Sequence, residues 1–406
     1  MLADRLYFNF CLYVVAGLCL PNGTVSLKWP KVYYSYVVIS DVLIILNLLT
    51  LAVNLISPNV SLANRCYSGF TTLATALSVT KLLASHIHKE KLSKYFKLWD
   101  DVIEKDADLE LKKELLKNEK VIKRLSTCLF AFMVGPMIPW GGLPLFCKII
   151  SYLVPVPFSF IAIPAKFPFD PLVSPGFEFA TIFQGMMAFS VNAKIMAFDC
   201  LIYGLISYQI VQCRYLKDSF KNITGLAQRE LITGKPTGQY LREHKHMKNI
   251  QKIQLNEWVE KHCRLIEICT TLNQLYSPVF FVQFIFSILI ICSNAFVVTA
   301  GNVTKLELVF SFAYVIGTTV QLYTLCWMGE ELSKQSTTLT DDGFWHKWYL
   351  CPLEVQSSFQ IIFERTKVPM KISIFGTIHL SIETFKTIVG TAYSYFMVLN
   401  RIKRTV

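Results

Sequence analysis

The chain has 406 residues, of which 53% are hydrophobic and only 17% charged, and its mean hydropathy is +0.42. A soluble domain of this length carries about a quarter charged residues, so composition excludes an ordinary soluble enzyme and points to an all-α membrane protein. The net charge of +12 does not imply nucleic-acid binding, because Lys and Arg sit between long apolar runs, where membrane topology places them.

In chain order, residues 6–20 are apolar but too short to cross a bilayer, and they read as a retained segment lying at the inner interface. Seven longer apolar runs follow, at about 32–56, 67–88, 125–147, 177–210, 271–298, 306–328 and 378–399. Each has the twenty or so residues that a helical crossing needs. The fourth is over-long and should project into water. Of the 40 Lys and Arg, 30 fall in 1–31, 89–124, 211–264 and 329–371, 7 fall in the opposite segments and 3 in the spans. That asymmetry predicts a cytoplasmic N-terminus and an extracellular C-terminus. A G-protein-coupled receptor has the reverse orientation. With this topology, of the sequons at Asn22, Asn59, Asn222 and Asn302, only Asn59 and Asn302 face the glycosylated side.

Three inner segments, about 89–124, 251–268 and 344–363, place apolar residues at helical spacing: Leu92, Phe96, Trp99 and Ile103 in the first, Trp258 in the second, Trp345, Trp348, Phe359 and Phe363 in the third. They are either helices that extend from the spans and float in the cytosol or helices that pack together as an assembly platform. Exposed Trp is costly, which favours the platform. The outer segment 148–175 carries six prolines among aromatics and reads as an irregular, stiff cap. No internal repeat or linker divides the chain, so one membrane domain spans 1–406.

No catalytic or cofactor motif is present, and no cofactor is expected. His86 with His88, and His244 with His246, have a spacing that splits the rings to different faces of a helix, which argues against metal. Twelve cysteines show no disulfide framework. Cys66 and Cys147 either pair or remain free.

The last run carries the most information. Thr387, Thr391, Ser394, Val398 and Ile402 recur every three or four residues and share one helical face. Its first part is small and polar, its last part apolar and branched. Such a face can line a water path closed by a hydrophobic constriction, or its small residues can simply pack against neighbouring helices.

LCWMGEEL (325–332), Trp345 and Trp348, and LSIETFKTIVGTAYSYFMVL (380–399) resemble the C-terminal signature of insect odorant receptors, and FPFDPLVSPGFEF (167–179) resembles the loop before that family's fourth span. The resemblance implies a tetrameric, ligand-gated cation channel in the plasma membrane of a sensory dendrite, with one final helix per subunit around the pore. It implies a tuning subunit that works in a heterotetramer with the odorant receptor co-receptor (Orco), because this chain lacks the co-receptor's extended second inner loop. The family's gate maps onto Val398 and Ile402. Thr387, Thr391, Ser394 and Arg401 would line the pore. A volatile would bind in the outer half of spans two to six, where Tyr67, Phe70, Thr71, Met133, Met137, Trp140, Phe183, Met186, Met187, Ser190, Tyr314 and Thr318 offer aromatic, thioether and hydroxyl contacts. The alternatives are a gustatory-type receptor channel acting as a homotetramer, and a small-molecule transporter. The transporter lacks support from repeats or from many mid-membrane charges, only Asp41, Lys81, Lys194, Asp199 and Lys386 coming near spans.

Overall fold

The computed structural model describes residues 5–18, 29–58, 62–105, 109–153, 163, 165–232, 237–299, 305–344, 348–350 and 353–405. The architecture is all-α apart from one short hairpin. The helices are α1 (Tyr7–Ala16), α2 (Pro30–Ile56), α3 (Leu62–Ile87), α4 (Lys89–Lys105), α5 (Leu109–Val134), α6 (Met137–Leu153), α7 (Gly176–Ile232), α8 (Thr237–Thr299), α9 (Lys305–Thr337), α10 (Asp341–Phe344), α11 (Leu353–Thr366) and α12 (Ile382–Thr405). A 3₁₀ turn covers Trp348–Leu350, and strands β1 (Ser373–Ile374) and β2 (Ile378–His379) pair antiparallel before α12.

Among the described residues four helical stretches, Pro30–Ile56, Gly176–Ile223, Lys252–Thr299 and Leu308–Thr337, are long and apolar enough to cross a membrane. They differ in position. The apolar window of α7 is 89% buried and that of α2 33%, so α7 is the centre of the bundle and α2 its flank. Val38, Val42, Ile45, Leu49 and Val53 form an outward apolar face on α2, as lipid contact requires.

The structure sharpens two expectations from the sequence and corrects one. The N-terminal segment is packed into the helix bundle. Phe10, Leu12, Tyr13 and Ala16 are buried. Asn9 donates a 2.6 Å hydrogen bond to the Cys200 carbonyl on α7. A side chain at Gly204 would strike Leu6 at 2.6 Å, so that glycine lets α1 approach α7. The third run is not one helix. Its chain turns at Gly135 and Pro136 between α5 and α6, because proline lacks the amide proton that would continue α5. The inner segments are helical, and two of them run on into longer helices. Residues 89–124 divide into α4 and the first half of α5, 251–268 is the interior of the 63-residue α8, and α11 starts later than expected, at Leu353.

These inner segments do pack together. Trp99 is fully buried and meets Tyr208 edge-on at 6.5 Å. Trp258 donates from Nε1 to the Leu216 carbonyl at 2.8 Å. Phe220 of α7 gathers Trp258, Phe359 and Phe363 at ring distances of 5.0, 5.5 and 5.9 Å. Trp345 lies outside the described residues, as do Asn59 and Asn302, whereas Asn222 is exposed on α7. Cys66 and Cys147 are free thiols.

Candidate functional site

A cavity opens between α2, α3, α7 and α9. Asn47 and Leu51 of α2 form one wall, and Tyr67, Phe70, Thr71, Ala74 and Thr75 of α3 another. Met187, Ala188, Val191 and Asn192 of α7 and Phe310, Ser311 and Tyr314 of α9 complete the ring, with Met137 and Ile163 at its margin. On each helix the lining residues recur at three or four, so each contributes a single face. The volume is about 60 Å³, on a measure in which one water takes about 10–15 Å³. It therefore has room for a small organic molecule, provided side chains give a little.

The wall is aromatic and apolar. Tyr67 meets Phe70 edge-on at 5.1 Å, and Phe70 meets Tyr314 at 5.5 Å. The threonine hydroxyls turn back to their own helix: Thr71 Oγ1 donates to the Ser68 carbonyl and Thr75 Oγ1 to the Thr71 carbonyl, both at 2.8 Å. They present methyl groups instead of donors. Asn192 donates to the Ala188 carbonyl at 2.8 Å. The Ser311 hydroxyl is buried without a hydrogen-bond partner. Such a group is costly to leave unpaired, and on a cavity wall it can be satisfied by a ligand.

Six expected contacts, Tyr67, Phe70, Thr71, Met137, Met187 and Tyr314, line this cavity. Met186 and Ser190 do not. They lie one position before Met187 and Val191, about 100° around α7, and line an adjoining groove instead. Met133 is buried against α9, where its sulfur closes over Gly317. Thr318 sits a turn beyond Tyr314 and donates to the Tyr314 carbonyl at 2.9 Å. Phe183 packs edge-on against Phe167 at 6.3 Å. The Trp140 side chain lies outside the described residues. The other lining residues were missed, the apolar Leu51, Ala74, Ala188, Val191 and Phe310 because a span is apolar on every face, and Asn47, Thr75, Asn192, Ser311 and the loop residue Ile163 because they carry no periodic signal.

A strap made of Ile163 and residues 165–175 caps one end of the cavity. The Gln184 side chain holds Ile163 from both sides, accepting from its amide at 3.3 Å and donating to its carbonyl at 2.7 Å. The Lys166 amide donates to the Thr50 carbonyl at 3.4 Å, tying the strap to α2. Below the cavity the mid-span charges pair. Lys81 meets Asp199 at 2.5 Å with both side chains buried, and Gln321 donates to the other Asp199 oxygen. Tyr203 donates to the Gln321 carbonyl at 3.0 Å. Lys194 binds Asp41 at 3.1 Å and the Gly17 carbonyl at 2.6 Å, and His86 takes the second Asp41 oxygen at 3.0 Å. Paired and hydrogen-bonded charge is the form in which charge survives within a bilayer.

The second candidate site is α12. Its placement explains the 325–332 motif. A side chain at Gly329 would approach the Leu380 carbonyl to 2.6 Å, so only glycine lets α9 lie against the start of α12. Glu330 accepts from the Ile382 amide at 3.4 Å. Ser381 caps the helix, accepting from the Thr384 amide at 3.1 Å. The hairpin ahead of it turns through Phe375 and Gly376, both at positive φ, and hangs from α8 by Asn273 and Ser277. Ile388 and Ala392 are buried against the bundle. Thr387, Ser394, Val398 and Arg401 face away and are exposed, and Thr391 is half-buried. Backbone at Ile402 is helical, but its side chain lies outside the described residues. One chain thus covers only one face of α12.

A family model described as 7tm odorant receptor matches residues 63–393. Putative odorant receptor 92a of Drosophila melanogaster is 26% identical over 157 residues, covering 39% of this chain and 38% of its own. Odorant receptor 10 of Aedes albopictus is 23% identical over 233 residues, covering 57% and 58%. The chain thus spans less than two thirds of these relatives' lengths. Among solved structures, the insect olfactory receptor OR5 from Machilis hrabei in complex with eugenol matches with a TM-score of 0.79 at 18% identity, over 98% of this chain and 97% of that one. The same receptor, described without eugenol, matches at 0.78. This overturns the expected heterotetramer with the co-receptor: the structure that matches over 98% of this chain is described as one olfactory receptor.

Proposed function

The chain belongs to the insect 7tm odorant receptor family, a multi-pass plasma-membrane protein and not an enzyme, and from that premise we propose that it is a ligand-reading receptor channel that assembles from four copies of itself. A small volatile binds in the cavity walled by Tyr67, Phe70, Thr71, Met137, Met187 and Tyr314, with Ser311 as hydrogen-bond anchor. The observation that carries the channel is the uncovered face of α12. Thr387, Thr391 and Ser394 satisfy their hydroxyls on their own backbone, yet a face of small polar residues gains nothing from lipid. Symmetry-related copies of α12 can turn it onto shared water. Val398 and Ile402 then form the constriction, where apolar side chains exclude ions by dewetting, and Arg401 stands at the mouth.

The topology we propose has seven crossings, a cytoplasmic N-terminus and an extracellular C-terminus. It rests on the 30-to-7 division of Lys and Arg. In it the cluster around Phe220, Trp258 and Phe359 stands in the cytosol and serves as the assembly platform, and the membrane is that of a sensory dendrite. Homomeric assembly is supported by the full-length match to a receptor described alone. Expression of this chain without any co-receptor tests it. A volatile-evoked cation current is expected; surface protein that gives none over a broad volatile panel overturns the homomeric channel.

A further inference from the structure

Beside the cavity lies a larger groove of about 500 Å³ between α2, α6 and α7. Its rim is apolar and turned outward: Ile39 is 60% exposed, Ile182 50% and Met186 56%. Ile39 and Ile182 belong to two helices apolar enough to cross the membrane, and Ile39 flanks the outward apolar face of α2. The groove therefore opens to lipid. Its floor is thin. Gly141 and Gly185 bring the backbones of α6 and α7 into contact, so that a side chain at Gly141 would meet the Gly185 Cα at 2.6 Å.

Met137 and Met187 line both the groove and the cavity. They stand where the two spaces adjoin, and an unbranched thioether changes rotamer readily. The strap end of the cavity is closed differently. Ile163 sits over the cavity, pinned by two hydrogen bonds to Gln184, and the strap behind it is tied to Thr50. Opening that side breaks hydrogen bonds at a buried site, whereas opening the lipid side needs only two flexible side chains to move.

We infer that this groove is a lateral portal: an apolar ligand dissolves in the bilayer, collects between α2 and α6, and passes to the cavity between Met137 and Met187. This rests on the cavity being the ligand site. The occupant is a small apolar or weakly polar molecule, since no described charged side chain lines either space. Partition into lipid raises its concentration at the portal above that in water, so access improves with hydrophobicity.

A test needs a plug that leaves the cavity untouched. A side chain at Gly142 would meet nothing within 4 Å, and Gly142 lines the groove only. Gly142→Phe should therefore fill the portal without disturbing the helix crossing. Ile39→Trp on the opposite wall is the second variant, should the first fail to fold. The wild-type chain in phosphatidylcholine nanodiscs is mixed with a photoreactive diazirine of octanol and flashed after increasing delays, with labelled residues mapped by mass spectrometry. Labelling is expected on both the groove rim and the cavity wall. Either plug should slow cavity labelling about fivefold or more at short delays and leave its final extent within twofold. Cavity labelling with unchanged kinetics in both plugged variants overturns the portal alone. Labelling absent from the cavity at every delay, with the groove labelled, overturns the cavity as ligand site and the portal with it. A reduced final extent with an unchanged rate also overturns the portal, since the plug would then act on affinity.

Discussion

The cavity and the last helix are two solutions to one problem, polar atoms in an apolar solvent. Around the cavity every wall comes from one chain, threonine hydroxyls bond to their own helices, and the charges beneath pair as Lys81–Asp199 and Lys194–Asp41. On α12 the hydroxyls are likewise satisfied internally, but Thr387, Ser394 and Val398 are exposed, with none of the described residues covering them. The first region is complete in a single copy; the second is half of a structure. Ligand affinity should therefore depend on side chains within one chain, and conduction on how copies meet.

The closed region is broken hardest at its charges. Asp199→Ala leaves Lys81 buried without its partner, a loss of about 3–5 kcal/mol. The purified protein should melt at a clearly lower temperature, and Lys81→Met with Asp199→Leu should recover much of the loss. Equal melting temperatures for wild type and the single variant would show that the pair carries no weight.

The open region is broken at its constriction. Val398→Ser should raise current without ligand several-fold in cells matched for surface protein, because a wetted constriction no longer excludes ions. A basal current equal to wild type would remove Val398 from the gate.

Within the cavity the effects are smaller. Tyr67→Ala or Tyr314→Ala removes an aromatic contact worth about 1 kcal/mol, so the half-maximal ligand concentration should rise about fivefold with maximal current retained. Ser311→Ala sharpens the comparison further. It should weaken hydroxyl- or carbonyl-bearing volatiles by about 0.5–1 kcal/mol and leave hydrocarbons unchanged; an equal shift for both classes would mean that Ser311 only packs. The smallest effect is expected at Arg401, where Arg401→Gln should shift the reversal potential modestly toward greater cation preference, since a long side chain at a wide mouth turns largely into water.

Much was legible in the sequence. Apolar runs gave helix positions to within a few residues at α2 and α3, because the bilayer imposes its thickness on composition. The face of Thr387, Thr391, Ser394 and Val398 followed from the helical period alone, and the 325–332 and 380–399 signatures pointed to the family. Tertiary structure decided what composition cannot encode. A helix in lipid is apolar all round, so its pattern does not say which face turns to a neighbour. That is why Met186 and Ser190 fell on the groove while Met187 and Val191 reached the cavity. The pairing of Lys81 with Asp199, 118 residues away, the seating of Ile163 by Gln184 and the unpartnered hydroxyl of Ser311 likewise depend on how the helices rotate against one another. Only packing sets that rotation.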